Sequence, residues 1–371
     1  MALARLLGAL DRTRVEPIVA LAEDGPLVEL LQKAGVETHI LLLDPTVREV
    51  RKDSLGARGI FQQARQVTTL WGYAKQIARL AREKQVSLLY TNSLKSDFYG
   101  ALAGQRARIP VIWHIRDRIE ESYLPAPAVR VIRLLARRIP ACVVANSEST
   151  LETLKLEGTR PSAVIASGMT QEYIARCQAA REPNAIPHIG IIGRISAWKG
   201  QDVFLKAAAQ VLAKGIDARF QIIGSPMFGE DDFEGTLKAL AQELGIADKV
   251  AFLGFQSDVP AVLRSLDILV HASTTPEPFG QVIVEGMVAG LPVIATDGGG
   301  AREIVTHEKT GLLVPMGDID ALVESLTRLL TRPDEARALA EAGRQHALAT
   351  YTVEISARKS EALYERLVGV S

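Results

Sequence analysis

From Ser265 to Thr296 the chain contains a complete strand, loop, helix and strand in order. Ser265-Leu-Asp-Ile-Leu-Val-His271 is a short apolar run of the length of a buried strand, and Gly290-Leu-Pro-Val-Ile-Ala-Thr296 leads into the next one. Between them, Glu277-Pro-Phe-Gly-Gln-Val-Ile-Val-Glu285 places one carboxylate in a loop and a second inside the helix opened by the Pro-Phe-Gly turn. A helix joining two neighbouring strands makes them parallel, and a parallel sheet buries both faces under helices. The acids therefore fall at the carboxyl edge of such a sheet, where open α/β folds hold ligands.

The same alternation runs through the whole sequence. Strand-like runs occur at Glu16–Ala22, Val36–Leu43, Val86–Thr91, Pro110–Ile115, Ala141–Asn146 and Ala163–Ala166, with helical periodicity over Phe61–Lys84, Leu94–Arg108 and Ala128–Arg138. Around Ala179–His188 two prolines interrupt the pattern, which reads as a linker. Strands then resume at Ile189–Gly193, Ala218–Gly224, Val250–Gly254, Ser265–His271, Val293–Thr296 and Gly311–Pro315, followed by helices to the end. The expectation is two Rossmann-like α/β domains facing a central cleft, residues 1–180 and 181–350, with a last helix over 351–371.

Lys plus Arg and Asp plus Glu both number 43, so no net field draws the chain to nucleic acid. Cys142 and Cys177 are too few for a disulfide framework or a zinc cluster and read as reduced thiols, which favours the cytoplasm. There is no apolar run of membrane-spanning length.

Ile191-Ile-Gly-Arg-Ile-Ser-Ala-Trp-Lys-Gly200 ends a strand at Gly193 and carries Arg194 and Lys199 into the following loop. Alone, such a pair reads as solvated surface cations. Beside the Glu277 segment it reads as a clamp for phosphate oxygens, the Arg as a fork and the Lys as a mobile point charge. The main-chain N–H groups of Phe279, Gly280, Gln281 and Val282 sit at a helix start and suit an anion. Phosphate-binding groups with two hydroxyl-binding carboxylates fit a nucleotide sugar.

Gly193-Arg194 with Lys199-Gly200, the strand end at Gly224, Val250-Ala-Phe-Leu-Gly-Phe255, Glu277-Pro-Phe-Gly with Glu285, Asp297-Gly-Gly-Gly300 with Glu303, and Thr310-Gly-Leu-Leu-Val-Pro315 together resemble the retaining GT-B glycosyltransferases of family 4. The likeness is dense over residues 188–318 and weaker before. It implies that Glu285 holds the donor ribose, Glu277 orients the transferred sugar, and Arg194 and Lys199 stabilise the departing diphosphate, with Gly193 and Gly224 close to the nucleotide. It also implies that the last helix crosses back to the first domain. His114 resembles the family's histidine beside the donor sugar, although a strand-end histidine equally serves as a structural hydrogen-bonding group. Asn146-Ser147 fits the family pattern too, and Ser147 equally fits a helix cap. Asn92 either faces the cleft or closes a turn. Phe255 either flanks the nucleotide base or packs in the core. Gly298 to Gly300 either bring backbone to a ligand or permit a tight turn.

Asp318-Ile-Asp320 looks like a metal-binding Asp-x-Asp but opens an amphipathic helix, so capping accounts for it and no catalytic metal is expected. No cofactor is expected either, the donor being a UDP-sugar or GDP-sugar and the acceptor a saccharide or lipid-linked saccharide. The alternatives are a nucleotide-sugar epimerase and a non-catalytic sugar-binding partner of another transferase. The basic stretch 106–138, with Arg116, Arg118, Arg130, Arg133, Arg137 and Arg138, is a candidate for peripheral contact with the inner face of a membrane, or simply a solvated helix face. Family members open with a strand and a glycine-rich loop, whereas Met1-Ala-Leu-Ala-Arg-Leu-Leu-Gly-Ala-Leu10 already reads as helix. Either that first strand lies upstream of Met1 in a longer chain, the preferred expectation, or the chain lacks it.

Overall fold

The computed structural model of the chain describes residues 2–43, 60–180, 184–227 and 231–369. They form two compact units, Met1–Gly168 with Val353–Ser371, and Met169–Thr352. All strand pairs are parallel.

In the first unit, β1 (Ile18–Leu21) pairs with β2 (Glu37–Ile40), while β3 (Leu89–Thr91), β4 (Val111–Ile115), β5 (Cys142–Ala145) and β6 (Ser162–Val164) form a separate sheet in that order. Every residue of β4 and β5 is buried, as expected for strands covered on both faces. The terminal helix Val353–Val368 packs on the helix Ala2–Ala9, and Glu361 takes bonds from the Asp11 main chain at 2.8 Å and from Arg14 at 3.0 Å. Tyr364 on that helix lies 5.7 Å, edge to face, from Tyr90 of β3.

In the second unit, β7 (His188–Ile192), β8 (Arg219–Ile223), β9 (Val250–Gly254), β10 (Ile268–His271), β11 (Val293–Thr296) and β12 (Leu312–Val314) take the order β12-β11-β10-β7-β8-β9. The chain winds outward from β7 to β9, returns to lay β10 on the other side of β7, and winds outward again. The loops leaving β7 and β10 therefore diverge, which makes the gap between their carboxyl ends the switch point of the sheet. Phe204 on the helix Gln201–Ala213 stands edge to face at 5.6 Å against Phe220 of β8, both without solvent exposure. Burying each ring contributes roughly 1.5–3 kcal/mol.

The boundary between units differs from the expected 180/181. Helix Gln171–Cys177 packs on Val259–Arg264, and the Met169 N–H donates to the Tyr351 carbonyl at 2.8 Å, so this segment joins the second unit before the prolines are reached. At the other end the change falls between Thr352 and Val353. Residues 181–183 of the expected linker lie outside the described residues. Asn184, just after them, is pinned to the Ser265 carbonyl and the Asp267 carboxylate, each at 2.9 Å.

Candidate functional site

The loops at the switch point converge on Glu277. The residue is buried, its side chain 9% exposed, and one oxygen, Oε1, takes every bond the described residues supply. Ser273 donates to it at 2.5 Å, His271 Nε2 lies 3.0 Å away, and the Lys199 ammonium pairs with it. Burial pushes the Glu277 pKa upward, but His271 and Lys199 outweigh it and hold the carboxyl well below the usual carboxylate range. Glu277 is thus an ionised carboxylate inside the protein with Oε2 left over. His271 closes β10 and is itself flanked by Thr296 of β11 at 3.3 Å from Nδ1.

The two cations are gathered by Trp198. Lys199 Nζ sits 4.4 Å from the indole centroid and the Arg194 guanidinium 5.9 Å, both within cation–π range. Arg194 is also fixed through its carbonyl, which accepts from buried Gln201 at 2.9 Å. Gly200, with φ of 72°, lets this loop press onto the end of β10: a Cβ there would stand 1.9 Å from the Ala272 carbonyl oxygen. A glycine is needed both for the left-handed conformation and for the approach that brings Lys199 to Glu277.

Gly280 caps the helix Gln281–Val288 with φ of 105°, so the free N–H groups of the first turn open beside the Glu277 loop. The Phe279 ring is spent on packing, 5.8 Å from Tyr351, leaving only its main chain for a ligand. Gln281 and Val282 begin the helix, and the Gln281 amide reaches Glu285 at 3.2 Å. Glu285 is half-buried one turn further along. Of the two readings for Gly298 to Gly300, the turn has a visible local partner. Gly300 N–H donates to the Glu277 carbonyl at 2.9 Å, and a Cβ on Gly299 would lie 2.1 Å from that same oxygen, so the glycines let the two loops zip together. Gly193 and Gly224 end adjacent strands, β7 and β8, with Gly193 N–H on the Ile223 carbonyl at 2.9 Å. Phe255 is 76% exposed, which removes core packing as its explanation.

In the first unit, His114 on β4 is buried, with Nδ1 held by the Tyr90 hydroxyl at 2.6 Å and Nε2 without a partner among the described residues. Burial, helped by Arg116, drives its pKa well below the ordinary value, so the ring is neutral. Asn92 accepts from Arg116 at 2.9 Å. Ser147 caps the helix Glu148–Glu152, accepting from Thr150 N–H at 2.9 Å, while the Asn146 side-chain carbonyl is buried with no donor among the described residues. Much of the basic stretch is structural: Arg118 pairs with Glu120 at 2.7 Å, Arg133 holds the carbonyls of Thr153 and Ile119 at 2.8 Å each, and Arg137 that of Lys155 at 2.9 Å.

Asp318 caps the helix Ile319–Thr331 by accepting from Ala321 N–H at 3.0 Å. Among the described residues no three metal-ligating side chains cluster, and no helix is long and apolar enough to cross a membrane. His271, Ser273 and Trp198 were not singled out from sequence. The signal was present for His271, which ends its strand, much as His114 lies next to the end of β4.

With this geometry in view, similarity to known proteins fixes the class. Residues 178–346 match the family of group 1 glycosyl transferases, and residues 5–168 match the glycosyl transferase 4-like domain. The chain belongs to the group 1, GT-B glycosyltransferases and is a transferase. A lipopolysaccharide core biosynthesis mannosyltransferase of Rhizobium meliloti is 28% identical over 287 residues, 69% of this chain and 80% of that protein. A D-inositol 3-phosphate glycosyltransferase of Rhodococcus erythropolis is 28% identical over 92% of this chain and 82% of its own length. Among solved structures, Anabaena HepE in complex with UDP and glucose superposes with a TM-score of 0.81 at 27% identity, covering 98% of this chain and 94% of that one.

Proposed function

We propose that this glycosyltransferase is retaining, and that it moves a sugar from a UDP- or GDP-sugar to a saccharide or lipid-linked saccharide without a metal ion. The observation that carries the reading is Glu277: a carboxylate kept ionised inside the protein at the switch point, with one oxygen committed to Lys199, Ser273 and His271 and the other open to a sugar hydroxyl. Such a group binds hydroxyls strongly because it is charged and already desolvated. A complex of HepE with UDP and glucose, and relatives named for mannosyl transfer and for D-inositol 3-phosphate, support the donor and acceptor classes.

In the proposed reaction the bond between sugar C1 and the diphosphate oxygen breaks, the acceptor hydroxyl oxygen bonds to C1 on the same face, and its proton passes to the leaving phosphate oxygen. Charge gathers on the leaving group. Arg194 offers a fork to it, Lys199 has N–H donors beyond the one on Glu277, and the first turn of Gln281–Val288 adds main-chain donors. Glu285 takes the ribose hydroxyls and Phe255 flanks the base. A basic helix, Ala126–Ala136, exposes Arg130 with Val131 and Leu134, each of the latter 48% exposed, and offers a surface to anionic lipid around a lipid-linked acceptor.

The test is to incubate the chain with UDP- and GDP-sugars, with and without saccharide acceptors. Nucleotide release that depends on acceptor, with the anomeric configuration of the donor kept in the product by NMR, is expected. Interconversion of the donor, binding without turnover, or an inverted anomer would each overturn the proposal.

A further inference from the structure

The partners of Glu277 Oε1 differ in what else they can do. The Lys199 ammonium sits at the end of a flexible stem, partly open to solvent and against the face of Trp198. Phosphate oxygens reaching the site compete with Glu277 for its N–H groups. Ser273 and His271 are buried and have no such second call on them. His271 is the more constrained, because its ring is held from both sides.

His271 is the last residue of β10. Its Nε2 lies 3.0 Å from Glu277 Oε1 and 3.3 Å from the Ser273 hydroxyl, while Nδ1 lies 3.3 Å from the Thr296 hydroxyl. These contacts decide where the ring proton is. An ionised carboxylate only accepts, so Nε2 carries hydrogen whether the ring is neutral or cationic. Ser273 agrees with this: its one hydroxyl proton goes to Glu277 at 2.5 Å, which leaves only lone pairs for Nε2. In the neutral ring Nδ1 is then an acceptor, and the buried Thr296 hydroxyl donates to it. The sheet puts Thr296 there, since it ends β11 and the parallel register sets Ala295 beside His271. A hydroxyl on one strand thus orients the ring on the next, and the ring orients the carboxylate. Without that fixed N–H, Glu277 is free to follow Lys199 toward the phosphates instead of meeting the sugar.

We infer that His271, oriented by Thr296, is a positioning residue for the transfer and keeps Glu277 turned to the sugar once Lys199 is drawn to the diphosphate. The role rests on the proposed function of Glu277 and Lys199; the protonated Nε2 and its bond to Glu277 do not.

Two substitutions at His271 separate the bond from the space it fills. His271→Phe keeps a ring and removes the donor, whereas His271→Gln puts an N–H close to the place of Nε2. In the transfer assay His271→Phe is expected to lower kcat about 10- to 150-fold, and His271→Gln to recover most of that loss. Thr296→Val, which deletes the orienting hydroxyl, should lower kcat about 2- to 10-fold. The donor KM should stay within about threefold throughout. Inhibition by the free nucleoside diphosphate should stay within about twofold, because that ligand has no sugar for Glu277 to hold. Equal loss in the Phe and Gln chains, or nucleotide affinity that falls in step with kcat, would assign His271 to the packing of β10 and overturn the role. Histidine-selective 15N NMR of the native chain, with His271→Gln assigning the signal, is a reading that needs no turnover and no folded Phe variant. A protonated Nε2 is expected, and a bare Nε2 overturns the inference. A chain with the expected ring that transfers sugar from no donor refutes the proposed function and the role with it. One that transfers sugar with His271→Phe unimpaired refutes the role alone.

Discussion

Glu277→Gln isolates the charge at the centre of the site while keeping its shape. In the native chain Lys199, its side chain 18% exposed, has Glu277 as its ion-pair partner, and Glu277 is 9% exposed. Removing one member of a buried pair costs about 3–5 kcal/mol because the other charge is left uncompensated. The residual exposure of Lys199 and its place over Trp198 put this case near the lower end, about 3 kcal/mol. For a unit of this size that lowers the melting temperature by roughly 6–12 °C. The pH dependence fixes the cause. The folded pKa of Glu277 is depressed below the unfolded value, near ~4.3, so its stabilisation is complete above about pH 5 and is lost as pH falls through the folded value. Melting curves of native and Glu277→Gln chains from pH 8 to pH 4 should therefore stay separated down to about pH 5 and converge only below it. Equal melting at pH 7, or convergence already by pH 6, would show that burial rather than the cations governs this carboxyl and would refute the argument.

Gly200→Ala forces a Cβ toward the Ala272 carbonyl oxygen and away from a favoured backbone region, so turnover should fall about a hundredfold as Lys199 shifts from Glu277, read by kcat in the transfer assay. Trp198→Leu removes the ring that holds both cations and should raise the donor KM several-fold with little change in melting temperature. Glu285→Ala should raise the donor KM about 10- to 150-fold, measured against the free nucleoside diphosphate as competitor, whose affinity should fall in step. Arg130→Glu with Leu134→Asp should abolish co-sedimentation with anionic vesicles while leaving transfer to a soluble acceptor unchanged, and native chain that fails to co-sediment would remove the membrane contact.

Much of the architecture was legible because burial on both sheet faces writes itself as apolar runs of fixed length. Each of the twelve strands among the described residues overlaps a run read from sequence, and Val293–Thr296 does so residue for residue. Charged residues in the loops that follow strands, such as Arg194, Lys199 and Glu277, were visible as candidates for the same reason: they come just after those runs stop. What pairs with them was not visible, since Lys199 and Glu277 meet across 78 positions and only the strand order makes them neighbours. Trp198 looked like one more apolar residue, and Ser273 like one more loop residue, until the loops closed on each other. The unit boundary was misplaced because prolines mark a break in periodicity, whereas the division follows which side chains pack together. Phe255 could be core or surface by composition alone, and only its place after β9 decides that it is surface.

The indole held between two cations gives this enzyme a built-in optical reporter. Trp198 is one of three tryptophans; Trp113 is sealed from solvent and Trp71 lies beside Arg106 in the other unit. An oxyanion drawn to Arg194 and Lys199 changes the electric field on the Trp198 ring, and with it the colour and yield of its emission. In a Trp71→Phe, Trp113→Phe background, titrating nucleotides while watching that single fluorophore would rank donors without any label, before a single acceptor is known.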